Sequence, residues 1–215
     1  MTTGYLTLPR LRDDTMDRVV QSIEKVQDRV RRMSVVLEQE RVAYAVIGGN
    51  AVAYWVAQVN EAAVRFTRDV DVLIRREDLP NVTTAMAAAG FRYRHVRGID
   101  LFLDGPESKV ADAVHLLFAG EKVRPTDLVA TPSVEESIPG NGYQVLSLEA
   151  LVRMKLTSFR LKDQTHIDDM LQVGLINASL KAHLPAGLAE RFQQVLDQFE
   201  PGLIDDVETA GASES

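Results

Sequence analysis

Two aspartates standing two residues apart, Asp69 and Asp71, are the first feature with chemical content. They lie in Asp69-Val70-Asp71-Val72-Leu73-Ile74, whose polar and apolar residues alternate with the period of a strand. In a strand, residues i and i+2 project from one face, so both carboxylates point the same way while Val70, Val72 and Ile74 point into a core. Two like charges so close repel. A hard divalent cation such as Mg²⁺ suits them, because it takes carboxylate oxygens from a rigid element and fills its octahedron with water and phosphate. The plainer reading stays open: Asp69 caps the strand start and Asp71 lies on a solvated face.

A second constellation precedes the first. Ala43-Tyr44-Ala45-Val46-Ile47 is short, apolar and β-compatible, stops at Gly48-Gly49, and is followed by the helix-like stretch Asn50 to Gln58. A strand running into glycines and then a helix presents backbone N–H groups to an anion, and glycine lets a phosphate approach the backbone. Asn50 adds a side-chain donor. Glycine pairs also make ordinary turns. The pair is neither a Walker A loop, since no Lys-Ser or Lys-Thr follows, nor part of G-x-G-x-x-G.

Other polar residues carry weaker signals. The four histidines, His95, His115, His166 and His183, form no H-E-x-x-H or other spaced ligand set. His115 is the one polar residue inside the apolar run Ala113 to Phe118, and reads either as a hydrogen-bonded core histidine or as a group facing the aspartates. His166 and Asp169, at i and i+3, read as a surface pair. Tyr54 and Trp55 read as core.

The elements that must position these residues follow from periodicity. Val19, Ile23, Val26, Val30, Met33 and Leu37 recur at spacings of three and four, which predicts a long amphipathic helix over 14–40. Its charged face, with Arg29, Arg31, Arg32, Glu38 and Glu40, is expected to be solvated. Residues 77–89 read as a helix ending at Gly90, and shorter β-like runs are expected at 91–95, 100–103 and 113–118. Residues 119–142 carry turn signals throughout. Ser147 reads as an N-cap for a helix to Phe159 with Glu149 in its first turn, and further helices are expected over 162–173 and 185–199.

Composition bounds the rest. The 215 residues carry 46% hydrophobic and 26% charged side chains, as an ordinary globular protein does. No run approaches the roughly 20 apolar residues of a membrane span, and the first twelve residues lack the pattern of a secretory signal. A cytoplasmic protein is expected. The absence of cysteine excludes disulfides, thiolate zinc sites and cysteine nucleophiles. Of 24 basic and 31 acidic residues, 182–215 hold one and seven. The body is therefore nearly neutral, at 23 against 24, and bulk charge gives no nucleic-acid affinity, although Arg65, Arg68, Arg75 and Arg76 bracket one short segment.

Gly48-Gly49-Asn50-Ala51 followed by Thr67-Arg68-Asp69-Val70-Asp71-Val72 resembles the signature of the nucleotidyltransferase fold, the polymerase beta superfamily. The Thr-x-Asp-x-Asp form with a downstream helical segment looks most like the bacterial AbiEii-type abortive-infection toxin branch. The resemblance covers about Tyr44 to Val173 and implies an α+β fold with a small mixed β-sheet nucleotidyltransferase core over 43–146; periodicity and composition add an N-terminal arm and long helix within 1–42, a C-terminal helical part over 147–200 and a disordered acidic tail over 201–215. It implies an enzyme that moves a nucleoside monophosphate from an NTP to a hydroxyl acceptor, on RNA, protein or a small molecule, with Mg²⁺ or Mn²⁺. An antitoxin protein is an implied partner, and a catalytically weakened nucleotide- or partner-binding member is the alternative.

In residues, the resemblance puts the metal on Asp69 and Asp71 and the nucleotide on Gly48, Gly49, Asn50, Thr67 and Arg68. It takes Asp69, Asp71, His115 and, from the helical segment Leu148 to Leu156, Lys155 as catalytic, and from the following stretch it takes Asp169, in preference to Asp163, for the nucleotide. Two departures stand out. Gly49 and Asp69 are twenty positions apart, longer than in most members. The third carboxylate expected on a later strand is replaced by His115.

Overall fold

The computed structural model describes residues 13–105 and 108–199. The expected N-terminal arm before residue 13 and the acidic tail over 201–215 lie outside the described residues.

Helix α1, Asp13–Gln39, buries Val26, Val30, Met33 and Leu37 along the expected stripe. Its first part behaves differently: Met16 and Val19 are about half exposed. Arg29 corrects the expected solvated face, for it is buried at 6% exposure.

Strand β1, Tyr44–Ile47, leads into helix α2, Gly48–Ala57, so the glycine pair is the first turn of the helix rather than a loop before it. Strand β2, Val70–Ile74, is followed by helix α3, Leu79–Ala88. The hairpin β3, Phe91–Val96, and β4, Ile99–Asp104, turns at Arg97-Gly98, and β5 spans Val114–Phe118. Of two short strands, β6, Ser137–Pro139, arises within the stretch read as turns, and β7, Gln144–Leu146, follows it. Helices α4, Leu148–Ser158, α5, Leu161–Gln172, and α6, Ala186–Leu196, complete the chain.

The seven strands form one mixed sheet in the order β3-β4-β5-β2-β1-β7-β6. This is the expected α+β class, with a larger sheet than expected. β1 and β2 pair antiparallel, whereas β2 pairs parallel with β5 and β1 parallel with β7.

Period-two alternation divides the core into two layers. Tyr44, Val46, Val70, Val72, Ile74, Val114 and Leu116 pack with α1 and α3 on one face. Ala45, Ile47 and Leu73 pack with α2, α4, α5 and α6 on the other. Each fully buried side chain of this kind contributes about 1.5–3 kcal/mol of transfer free energy. The same alternation turns Asp71 and His115 toward the second layer, where α2, α4 and α5 meet the sheet.

Candidate functional site

The antiparallel register sets Ile47 opposite Asp71, so the end of β1 lies against the start of β2. Gly48 takes φ +69°, a conformation a β-carbon resists. It also has no room for one: a β-carbon there would lie 2.8 Å from Asp71 Cγ, and one at Gly49 would lie 2.9 Å from Thr67 Cγ2. The sequence reading gave the glycines to phosphate approach. The structure adds a nearer reason, since the Thr67 and Asp71 side chains press on the first turn of α2. Three elements of the motif therefore meet at one end of the sheet: the N-terminus of a ten-residue helix, Thr67 and Asp71.

Asn50 was expected as a donor to the ligand, but its Nδ2 donates to the Asp69 carbonyl at 2.6 Å. It ties α2 to the segment entering β2. Arg68 exposes its side chain, and its carbonyl accepts from Arg29 Nη1 at 3.3 Å.

His115 is the neighbour of Asp71 in the parallel pair of β2 and β5. Its Nδ1 lies 3.5 Å from Asp71 Oδ1, so the ring faces the carboxylate and is not turned into the core. Hydrogen bonding to Asp71 and the charges of Asp71 and Asp69 hold the imidazole above its usual pKa, against the opposing effect of burial.

Lys155 comes from α4 and is 5% exposed, with Nζ 3.2 Å from Asp163 Oδ1. Arg160 Nε holds the other oxygen of Asp163 at 2.8 Å. Burial alone would raise the Asp163 carboxyl, but Arg160 and Lys155 outweigh it and bring its pKa to about 2. For Lys155, burial lowers the pKa against the pull of Asp163.

Asp169 differs from expectation: it binds Arg65 Nε at 2.9 Å, while Asp163, ranked below it on sequence, is the partner of Lys155. Helix geometry gives the reason. Steps of 100° per residue put Asp163 and Asp169 about 120° apart around α5, so a helix that buries Ile167 and Met170 cannot aim both at Lys155.

Of these groups, Gly48, Gly49, Thr67, Asp69, Asp71, His115, Lys155, Arg160 and Asp163 line one cleft of about 790 Å³, whereas Asn50, Arg68 and Asp169, expected at the nucleotide, do not. One wall carries Gly48, Gly49, Asp69, Asp71 and His115, and the helical wall carries Lys155, Asp163, Lys162 and His166. The hairpin turn Arg97-Gly98-Ile99 and the loop around Val123 and Arg124 also line the cleft. Exposed Phe66 lies on the rim. His166, read from sequence as half of a surface pair, lines the cleft instead. Its Nδ1 is buried with no partner among the described residues, and burial together with the charge of Lys155 pushes its pKa down to about 4. No spacing rule marks it. Arg75 and Arg76, which bracket the same sequence segment as Arg65 and Arg68, pair with Glu135 and Glu121 and do not line the cleft.

Among the described residues no three His, Asp or Glu side chains gather as a closed metal cage. The donors that fit a hard cation are the oxygens of Asp69 and Asp71, beside a glycine cradle in which a β-carbon would displace Asp71. Such a set leaves most of the coordination to water and substrate, as Mg²⁺ tolerates.

No family model matches the sequence, and no curated protein matches it. Among solved structures the chain is similar to JHP933 from Helicobacter pylori, at 14% identity over 83% of this chain and 77% of that one, with a TM-score of 0.49. It is also similar to an antigenic nucleotidyltransferase-like protein from Paracoccidioides brasiliensis, at 16% identity over 84% and 90% with a TM-score of 0.48. A third is ANT(2″)-Ia in complex with adenylyl-2″-tobramycin, at 14% identity over 85% and 99% with a TM-score of 0.43.

Proposed function

We propose that the protein transfers a nucleoside monophosphate from an NTP to a hydroxyl acceptor. The observation that carries this reading is the meeting of Gly48 and Asp71: a helix N-terminus, suited to phosphate, and a carboxylate pair, suited to a divalent cation, face the same point of one cleft.

In the proposed reaction the acceptor oxygen bonds to the α-phosphorus, the bond from that phosphorus to the α–β bridging oxygen breaks, and pyrophosphate leaves with the bond electrons. The acceptor proton passes to solvent. Asp69 and Asp71 would hold Mg²⁺ or Mn²⁺, which when bound neutralises phosphate charge and aligns the two oxygens. The α2 amides beside Gly48 and Gly49 would receive the β and γ phosphates. Lys155, kept in place by Asp163, stands on the opposite wall, where its charge would offset negative charge growing on the phosphoryl oxygens. Thr67 would contribute its hydroxyl from the glycine side. A role as the toxin of an antitoxin-controlled pair belongs to the same reading and rests on the sequence resemblance.

A second reading has its own observation. His115 stands beside Asp71; the sequence resemblance expects a third carboxylate on this strand, and its replacement favours a member that binds nucleotide without transferring it.

Incubation with each labelled NTP, Mg²⁺ or Mn²⁺, and RNA, protein or small-molecule acceptors tests both. Label transfer lost in Asp71→Ala supports the first reading. Nucleotide-dependent thermal stabilisation without transfer supports the second, and neither effect defeats both.

A further inference from the structure

We infer that Arg29, on the N-terminal helix, is a positioning residue for the Asp69–Asp71 pair, acting through the backbone of residues 68 and 69; this rests on the nucleotidyl-transfer reading.

The strand ladder does not reach far enough to hold Asp69. β2 begins at Val70, whose N–H donates to the Ala113 carbonyl, and the register with β5 also starts there. The direction of the Asp69 carboxylate therefore depends on dihedrals outside the sheet. Two side chains supply the missing restraint. Asn50 Nδ2, from α2, holds the Asp69 carbonyl at 2.6 Å, and Arg29 Nη1, from α1, holds the Arg68 carbonyl at 3.3 Å. The two arrive from opposite faces of the sheet, since α1 packs with the Val70 and Val72 layer and α2 with the other.

Arg29 is otherwise hard to explain. It lies among the inward positions Val26, Val30 and Met33, where an apolar side chain would cost no desolvation. Its charge is met by Asp104 Oδ2, 3.2 Å from Nε. Arg32 already holds both oxygens of Asp104 at 2.7 Å, so Arg29 is not needed to satisfy that carboxylate. What Arg29 alone among the pair does is continue past Asp104 to the Arg68 carbonyl.

The test compares Arg29→Gln, Arg29→Lys and the control Arg32→Gln, which loses the same Asp104 partner without touching residue 68. Two readouts are needed: amide hydrogen exchange, and binding of Mn²⁺ alone to the full chain. Arg29→Gln should speed exchange at residues 67–71 by about tenfold and weaken Mn²⁺ by a similar factor, the size expected for one hydrogen bond from a charged donor. Arg29→Lys, which keeps the charge and can reach one of the two partners, should recover part of both effects and serves alone if the glutamine variant does not fold. Arg32→Gln should change neither. Equal acceleration in Arg32→Gln, or acceleration spread evenly over β1, β2 and β5, would reduce Arg29 to a stability residue and overturn the inference. A wild-type chain that binds no Mn²⁺ would instead count against the transfer reading, while exchange at 67–71 still decides whether the clamp exists.

Discussion

His115 stands beside Asp71 across the parallel β2 and β5 pair, with its Nδ1 3.5 Å from the Asp71 carboxylate. On the proposed reading an imidazole here would change which cation the site accepts, because Mg²⁺ strongly prefers oxygen and Mn²⁺ tolerates nitrogen. Wild-type transfer should therefore be weak with Mg²⁺ and better with Mn²⁺. His115→Asp should tighten Mg²⁺ binding and raise the Mg²⁺ rate relative to Mn²⁺. An unchanged metal preference in that folded variant would remove His115 from the site.

Asp69→Ala and Asp71→Ala should each abolish transfer with the fold retained. For Asp69→Ala the melting temperature should hold or rise, since one of two repelling carboxylates is gone. Asp71→Ala also deprives His115 of its partner and should gain less. Full activity in either variant would exclude that residue.

Gly48→Ala should cost about 1–2 kcal/mol from the positive φ alone and should also push the Asp71 carboxylate aside. Denaturant unfolding measures the first effect and Mn²⁺ affinity the second. A variant with wild-type metal binding would show that Asp71 is not confined by the helix turn.

Lys155→Ala should lower turnover more than Arg153→Ala, because Arg153 is engaged by Glu136 and does not line the cleft. Asp163→Ala leaves Lys155 buried with its main partner gone and should destabilise the fold by about 3–5 kcal/mol. Equal turnover losses for Lys155→Ala and Arg153→Ala would argue against a phosphate role for Lys155.

Acid stability should fall in two separate windows. His166 titrates near 4 in the folded chain and near 6.5 when unfolded, so as pH drops from 6.5 to 4 the unfolded state takes up a proton that the folded state refuses. Stability is lost over that window by up to about 3 kcal/mol. Asp163 acts lower: its pKa near 2 stabilises the fold above 3.8, and that contribution, about 2 kcal/mol, fades between 3.8 and 2. Urea unfolding across pH should show the upper slope vanish in His166→Gln and persist in a control such as His183→Gln. A slope unaltered by His166→Gln would place the titrating group elsewhere.

What the sequence by itself determined about this protein lies in local periodicity. The alternation at Asp69 to Ile74, the glycine pair after an apolar run, and the three-and-four spacing from Val26 to Leu37 each specify an element because burying one face of a strand or helix is a local pattern problem. Turn-rich composition hid β6 and shortness hid β7, since three-residue strands with proline and glycine nearby owe their form to neighbouring strands rather than to propensity. Only the tertiary structure decided the partners. The β1 and β2 register sets Gly48 on Asp71, the rotation of α5 gives Asp163 and not Asp169 to Lys155, and the docking of α1 behind the sheet carries Arg29 to the Arg68 carbonyl. These choices join residues up to 39 positions apart in sequence. They depend on how whole faces pack, and no local spacing of charges can specify that.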